Sequence, residues 1–159
     1  YAGLLLQYRG VPLADVYRAR TELEVAAVGL IAADPDGRID ELAAVVDRGE
    51  ALLDDPHAFA KANTEVHRTV MELGGNETLN TLAGMLLDIM DAHAALYISS
   101  RAEPDRPGAA VALRASRKLV ALLRAGEPGR AQAFWRHHLD KVEKYMTGDS
   151  ETTLVEVLS

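Results

Sequence analysis

The chain is 159 residues long, 48% hydrophobic and 26% charged, which suits one globular domain able to bury roughly 70% of its unfolded surface. A formal charge of −7 and a pI near 5.2 exclude the basic footprint that gripping nucleic acid requires. With no cysteine, disulfides, thiolate catalysis and cysteine-ligated zinc are excluded as well.

Aromatic residues make up only 5% of the chain, and its abundant Ala, Leu and Val favour closely packed helices over a β-sandwich. Residues 1–10 carry no capping residue and read as a lead-in segment without an initiator Met, so the chain is expected to begin inside a longer polypeptide. Pro12 suits a first helical turn, and a helix is expected from Leu13 to about Ala33, with Val16, Leu23, Ala27, Leu30 and Ile31 inside. Asp34-Pro35-Asp36-Gly37 breaks it. A second helix is expected from about Ile39 to Leu53, burying Leu42, Val45, Val46 and Leu52. Asp55 then caps a third helix with Pro56 at its first position.

That third helix reads A-N-T-E-V-H-R-T-V-M-E-L over 62–73. Asn63 and His67 are four apart, so they stack on one helical face beside the apolar stripe of Val66, Val70 and Leu73. Gly74-Gly75 ends the helix, and Asn76 caps a fourth that runs to about Ser99 on an inner stripe of Leu79, Leu82, Leu86, Ile89, Met90 and Tyr97. After the loop 103–108, a fifth helix spans about Ala109 to Arg124 and a sixth about Gly129 to Met146, the latter holding Phe134, Trp135, His138 and Leu139. The tail 149–159 reads either as a frayed helix or as a strand-like extension that packs on a partner. No apolar run approaches the roughly 18 residues of a membrane span and no signal-peptide pattern opens the chain, so a cytoplasmic location is expected. The expected architecture is all-α, a single antiparallel bundle of about six helices with short connections.

These segments together resemble the C-terminal effector-binding (FCD) domain of GntR-superfamily transcription regulators, in the FadR-like branch. Gln7 to Glu24 looks like the linker and first helix of that domain, with Arg20 and Glu24 in its Arg-x-x-x-Glu pattern. Asn63, His67 and Gly75-Asn76 match its third-helix motif, except that the family has Asp at the first position. Ala125-Gly126-Glu127 and His138-Leu139 match its last helical pair. The resemblance implies a helical domain over 13–148, preceded in 1–12 by the end of a linker from an N-terminal winged helix-turn-helix outside this chain. It also implies a homodimer that meets operator DNA only through that missing domain.

Many such domains hold a divalent metal with one Asp and three His. Carried onto this chain, those positions are Asn63, His67, Ser116 and His138, so two of the four ligands are replaced by weaker donors. The remnant set Asn63, His67 and His138 is expected to bind zinc or nickel weakly if at all, since ligand charge and count set affinity. Two readings of the face then stand. Either His67 and His138 are core imidazoles satisfied by Asn63 and Ser116, or these four groups and Arg20 line a metal-independent effector pocket for a carboxylate or acyl compound. Arg20 would supply a planar, bidentate positive group. Of the other histidines, His138 rather than His137 is expected to face inward and His57 to be solvated; His93 lies three residues after Met90 and four before Tyr97, within reach of the interior without being placed there. Arg101, Arg106, Arg114, Arg117 and Lys118 read as a solvated basic cluster. Rival functions are a helical enzyme using His67 and His138 as acid and base near Glu65, and a dimerisation module with no ligand.

Overall fold

The computed structural model describes residues 2–148 and 154–155. Among them are seven helices: α1 (Ala2–Tyr8), α2 (Leu13–Ala33), α3 (Arg38–Glu50), α4 (Pro56–Leu73), α5 (Glu77–Ser99), α6 (Arg106–Arg124) and α7 (Pro128–Thr147). The seventh, beyond the six expected, is α1, a short helix in the lead-in segment that packs on α5.

Local chemistry sets the boundaries. Asp55, Asn76 and Asp105 each accept a hydrogen bond from the backbone N–H three residues on, at Ala58, Leu79 and Gly108, all at 3.0 Å. Each cap contributes about 1 kcal/mol. The Asp105 cap starts α6 at Arg106, three residues before the expected Ala109, because a cap acts one turn ahead of the first apolar contact. Gly75, with φ of 72°, turns the chain between α4 and α5 in a conformation that only glycine adopts without cost. At Gly74, an added Cβ would lie 3.2 Å from the backbone Cα of Ala27, so this reversal sits tightly on α2.

Helix α2 is the hub, packing against α4, α5 and α7. Helix α3 closes one side against α4 and α6, and α6 packs on α7. The main core gathers Val28, Ile31, Leu42, Val70, Leu119, Trp135 and Leu139 from five helices. Full burial of each such side chain contributes about 1.5–3 kcal/mol. A second cluster joins Leu13, Val16 and Tyr17 of α2 to Ile89 and Met90 of α5 and to Val155.

Several expectations are corrected. Pro12 stands just outside α2 in an extended conformation, with ψ of 137°, rather than in its first turn. There it forms an isolated antiparallel bridge with Leu154, while Val155 N–H donates to Val11 C=O at 3.0 Å. This strand-like piece of the tail packs on its own chain; the rest of the expected tail lies outside the described residues. Helix α3 ends at Glu50, short of Leu53, and Leu52 is exposed. Leu30 and Leu82, placed inside by their apolar stripes, face outward.

Helix α5 departs furthest. Its mean hydropathy of 1.3 over an 18-residue window makes it long and apolar enough to cross a membrane by length and composition, where no such run was expected. Asp88 and Asp91 interrupt the run but leave the average high. Only 22% of that window is buried within the chain.

Candidate functional site

The buried stripe of α2 runs Leu13, Val16, Tyr17, Arg20, Glu24, Ala27, Val28, Ile31. Two charged residues, one turn apart, thus sit on an otherwise apolar helical face, at 1% exposure for Arg20 and 0% for Glu24. Burial of this kind is tolerated only when the charges compensate each other and find further partners. Arg20 Nε lies 3.5 Å from Glu24 Oε1, and the guanidinium stacks over the Tyr17 ring at 5.2 Å.

The other carboxylate oxygen, Glu24 Oε2, accepts two hydrogen bonds of 2.9 Å, from His67 Nδ1 of α4 and from Trp135 Nε1 of α7. Burial pushes the Glu24 carboxyl up, but His67, with Arg20 and the Trp135 N–H, more than offsets it and holds the group below its ordinary value. Three helices are thereby tied to one carboxylate. The Trp135 indole is flanked by His67 at 5.6 Å and by His138 at 5.1 Å between ring centroids. Burial, helped by the positive charge of His67 and Arg20, lowers the His138 pKa to about 4, so its imidazole is neutral at physiological pH.

Above this layer lies a cavity of about 650 Å³, bounded by α2, α4, α5, α6 and α7. Its floor includes Arg20, Asn63, His67 and His138; Leu87, Met90 and Ala94 of α5, Ala112 of α6 and Val142 of α7 line its walls. The volume falls in the range of small-molecule sites, and the pattern of apolar walls with a few convergent polar groups is theirs too. Residues 103–105 and the first turn of α6 border the cavity, together with Tyr97, Arg101 and Tyr145. There Tyr145 is hydrogen-bonded to Asp105, and Arg101 donates to the Tyr97 hydroxyl at 2.9 Å while covering that ring.

Four of the five expected site residues therefore meet. Asn63 and His67 share a face, with Asn63 Nδ2 3.4 Å from His67 Nε2, and Arg20 and His138 complete the floor. Ser116 does not join them. Its hydroxyl donates back to Ala112 C=O at 3.1 Å, and the residue borders a separate void of only about 10 Å³, which Val46, Gly49, Leu113 and the other side of Asn63 also line. Ser116 is buried, but it neither partners a histidine nor reaches the cavity, because a serine on a helix satisfies itself locally on the preceding turn.

The donors toward a divalent ion carry little charge: Ser116 is hydrogen-bonded back to Ala112 and Asn63 is a neutral amide, while the His67 Nδ1 bond to Glu24 leaves Nε2 facing Asn63. Among the described residues, no three His, Asp or Glu side chains converge as a metal-holding group.

The remaining histidines divide as expected in part. His137 is exposed, and His93 reaches inward to hydrogen-bond the Tyr17 hydroxyl at 3.1 Å, with burial lowering its pKa. The Tyr17 phenol is itself raised to about 12 by burial and stays protonated. His57 is exposed yet borders the cavity. The basic cluster is dispersed: Arg106 pairs with Asp54 at 3.1 Å, and Arg117 pairs with Glu50 on α3. Arg101 and Arg106 reach the cavity rim.

Glu24 and Trp135 are central to the site and were absent from the expected set. The signal for Glu24 was legible as a charged residue on the apolar stripe of α2. Trp135 showed nothing beyond an apolar side chain on the inner face of its helix.

A helical bundle that encloses one large cavity, apolar in its walls and polar at its floor, has the build of a small-molecule-binding domain. The family model for the FCD domain matches residues 15–141. The chain belongs to that family, the C-terminal effector-binding domain of GntR/FadR-type regulators. No match was found among curated proteins or among solved structures.

Proposed function

We propose that this chain is the sensing part of a bacterial transcription regulator, in which a small organic acid or acyl compound binds the cavity. Occupancy then alters operator binding by a DNA-binding domain outside this chain. The observation that carries the reading is the cavity of about 650 Å³ whose floor joins Arg20 of α2, Asn63 and His67 of α4 and His138 of α7. A ligand bridging these helices changes their relative placement, and linkage requires that operator DNA change ligand affinity by the same factor. In this reading the site works without metal, the protein is cytoplasmic, and it is not an enzyme. The enzyme alternative is disfavoured by Glu65, which is 61% exposed and paired with Arg68 at 3.4 Å, away from the two imidazoles.

The same reading includes a homodimer. Helix α5 supports it, because Leu82, Met85 and Leu96 are 48%, 47% and 39% exposed on the most apolar helix of the chain. With the half-buried Ala92 they lie on one side of the helix, at the spacing by which a helical face can meet a partner. This face is also what favours the second reading, a dimerisation module with no ligand.

Calorimetry with a panel of carboxylates and acyl compounds separates the two. Binding that weakens by tenfold or more on Arg20→Lys, together with a change in the emission of Trp135, supports the sensor. The absence of any response across the panel favours the module. Tight zinc or nickel binding that His67→Ala abolishes would overturn the metal-free part.

A further inference from the structure

The walls of the cavity differ in how they meet solvent. At the floor, Arg20 and His67 are buried, whereas Arg101, Ala102, Glu103 and Pro104 line the same cavity and are themselves exposed. A residue that borders both a cavity and bulk water stands between the two. The connection from α5 to α6, residues 101–105, is therefore a stretch of wall that separates the cavity from solvent, and it has no regular secondary structure of its own.

Side chains tie the end of this stretch to elements on either side of it. Asp105 uses both carboxylate oxygens: Oδ1 accepts from Gly108 N–H at 3.0 Å and caps α6, while Oδ2 accepts from the Tyr145 hydroxyl of α7. The Tyr145 ring also packs on that of Tyr97 near the end of α5, with centroids 6.2 Å apart. On the opposite side, Arg106 reaches Asp54 in the connection between α3 and α4, but these groups are 70% and 88% exposed. An ion pair so exposed contributes little. The phenol–carboxylate bond is charge-assisted and is the stronger tie.

Segments held by few and exposed contacts open at low free energy. Here one bond decides how often. Because the cap on α6 uses the other Asp105 oxygen, breaking the bond to Tyr145 leaves the helix start intact, and the stretch can swing away without unwinding α6.

We propose that residues 101–105 form a strap over the cavity, latched by the hydrogen bond from Tyr145 to Asp105, and that release of this latch admits molecules from solvent. This rests on the sensor reading, since it supplies the entrance to the same cavity.

The test is labelling of the unaltered chain and its variants at neutral pH with diethyl pyrocarbonate, a small electrophile that modifies neutral imidazole, read by mass spectrometry. His138 lines the cavity and is buried, while its neighbour His137 is exposed, so the ratio of their labelling rates reports access to the floor against an internal reference. Tyr145→Phe removes the hydroxyl and keeps the ring. It is expected to raise the His138 to His137 ratio by at least about threefold, with little change in melting temperature. Asp40→Asn breaks another exposed pair, that of Arg124 with Asp40 at 2.8 Å, neither of which lines the cavity, and is expected to leave the ratio unchanged. The latch is overturned if Tyr145→Phe does not raise the ratio, if Asp40→Asn raises it equally, or if His138 of the unaltered chain reacts as fast as His137. Any of these results leaves the sensor reading to the calorimetry with carboxylates and acyl compounds, which tests it separately.

Discussion

His67 Nδ1 and Glu24 Oε2 are 2.9 Å apart, joining α4 to α2 through a carboxylate with no solvent exposure. The same oxygen receives the Trp135 indole N–H from α7. The floor of the cavity is therefore one hydrogen-bonded unit rather than a set of independent side chains, and the other Glu24 oxygen faces Arg20. Such a unit holds the donors that line the cavity in fixed positions, which spares a ligand the cost of ordering them.

Removing the carboxylate is expected to be severe. Glu24→Ala leaves the Arg20 cation buried and uncompensated, a loss of about 3–5 kcal/mol. Trp135→Phe keeps most of the packing and gives up one buried hydrogen bond, for about 1–3 kcal/mol. Urea unfolding followed by circular dichroism measures both. Should Glu24→Ala cost no more than Trp135→Phe, Glu24 does not compensate Arg20 in the way described.

Stability is expected to fall on mild acidification. His138 has a folded pKa of about 4 against an unfolded value of 6.5, so between those limits the unfolded chain binds a proton that the folded chain refuses. The contribution is fully present above pH 6.5 and declines as pH falls, at up to roughly 1.4 kcal/mol per pH unit. Glu24, also lowered, adds its own loss only as pH drops below 4.5. Melting curves of the protein and of His138→Gln across this range decide the matter: the variant is expected to be flatter between pH 6.5 and 4, and parallel curves would contradict the assignment.

The outward face of α5 is expected to hold two copies together. Leu82→Glu combined with Met85→Glu places charge on two exposed positions, so the fold of the single chain is unaffected while a dimer through this face dissociates. Light scattering after size exclusion reads the mass directly. A dimer that survives the double change uses another surface.

Much of the fold was legible because it is written in local signals. Asp55, Asn76, Pro56 and the Gly74-Gly75 reversal fixed the ends of helices through caps and backbone conformation, which depend only on near neighbours in sequence. Asn63 and His67 were legible for the same reason, since helical spacing alone puts them on one face, and the family motifs pointed to Arg20 and His138 as their companions.

What the sequence could not decide was which face of a helix meets which neighbour. Leu82 belongs to an apolar stripe as good as the one holding Leu87 and Met90, yet it faces outward, because the position of α2 and α4 determines the side of α5 that is buried. Ser116 stood where a pocket residue was expected, and only the placement of α6 turned it toward Val46 and Gly49. Most of all, Arg20 and Glu24 one turn apart read equally well as a surface ion pair. Three helices, brought together by burial of their apolar faces, seal that pair from water, and this makes a single carboxylate the anchor of the site.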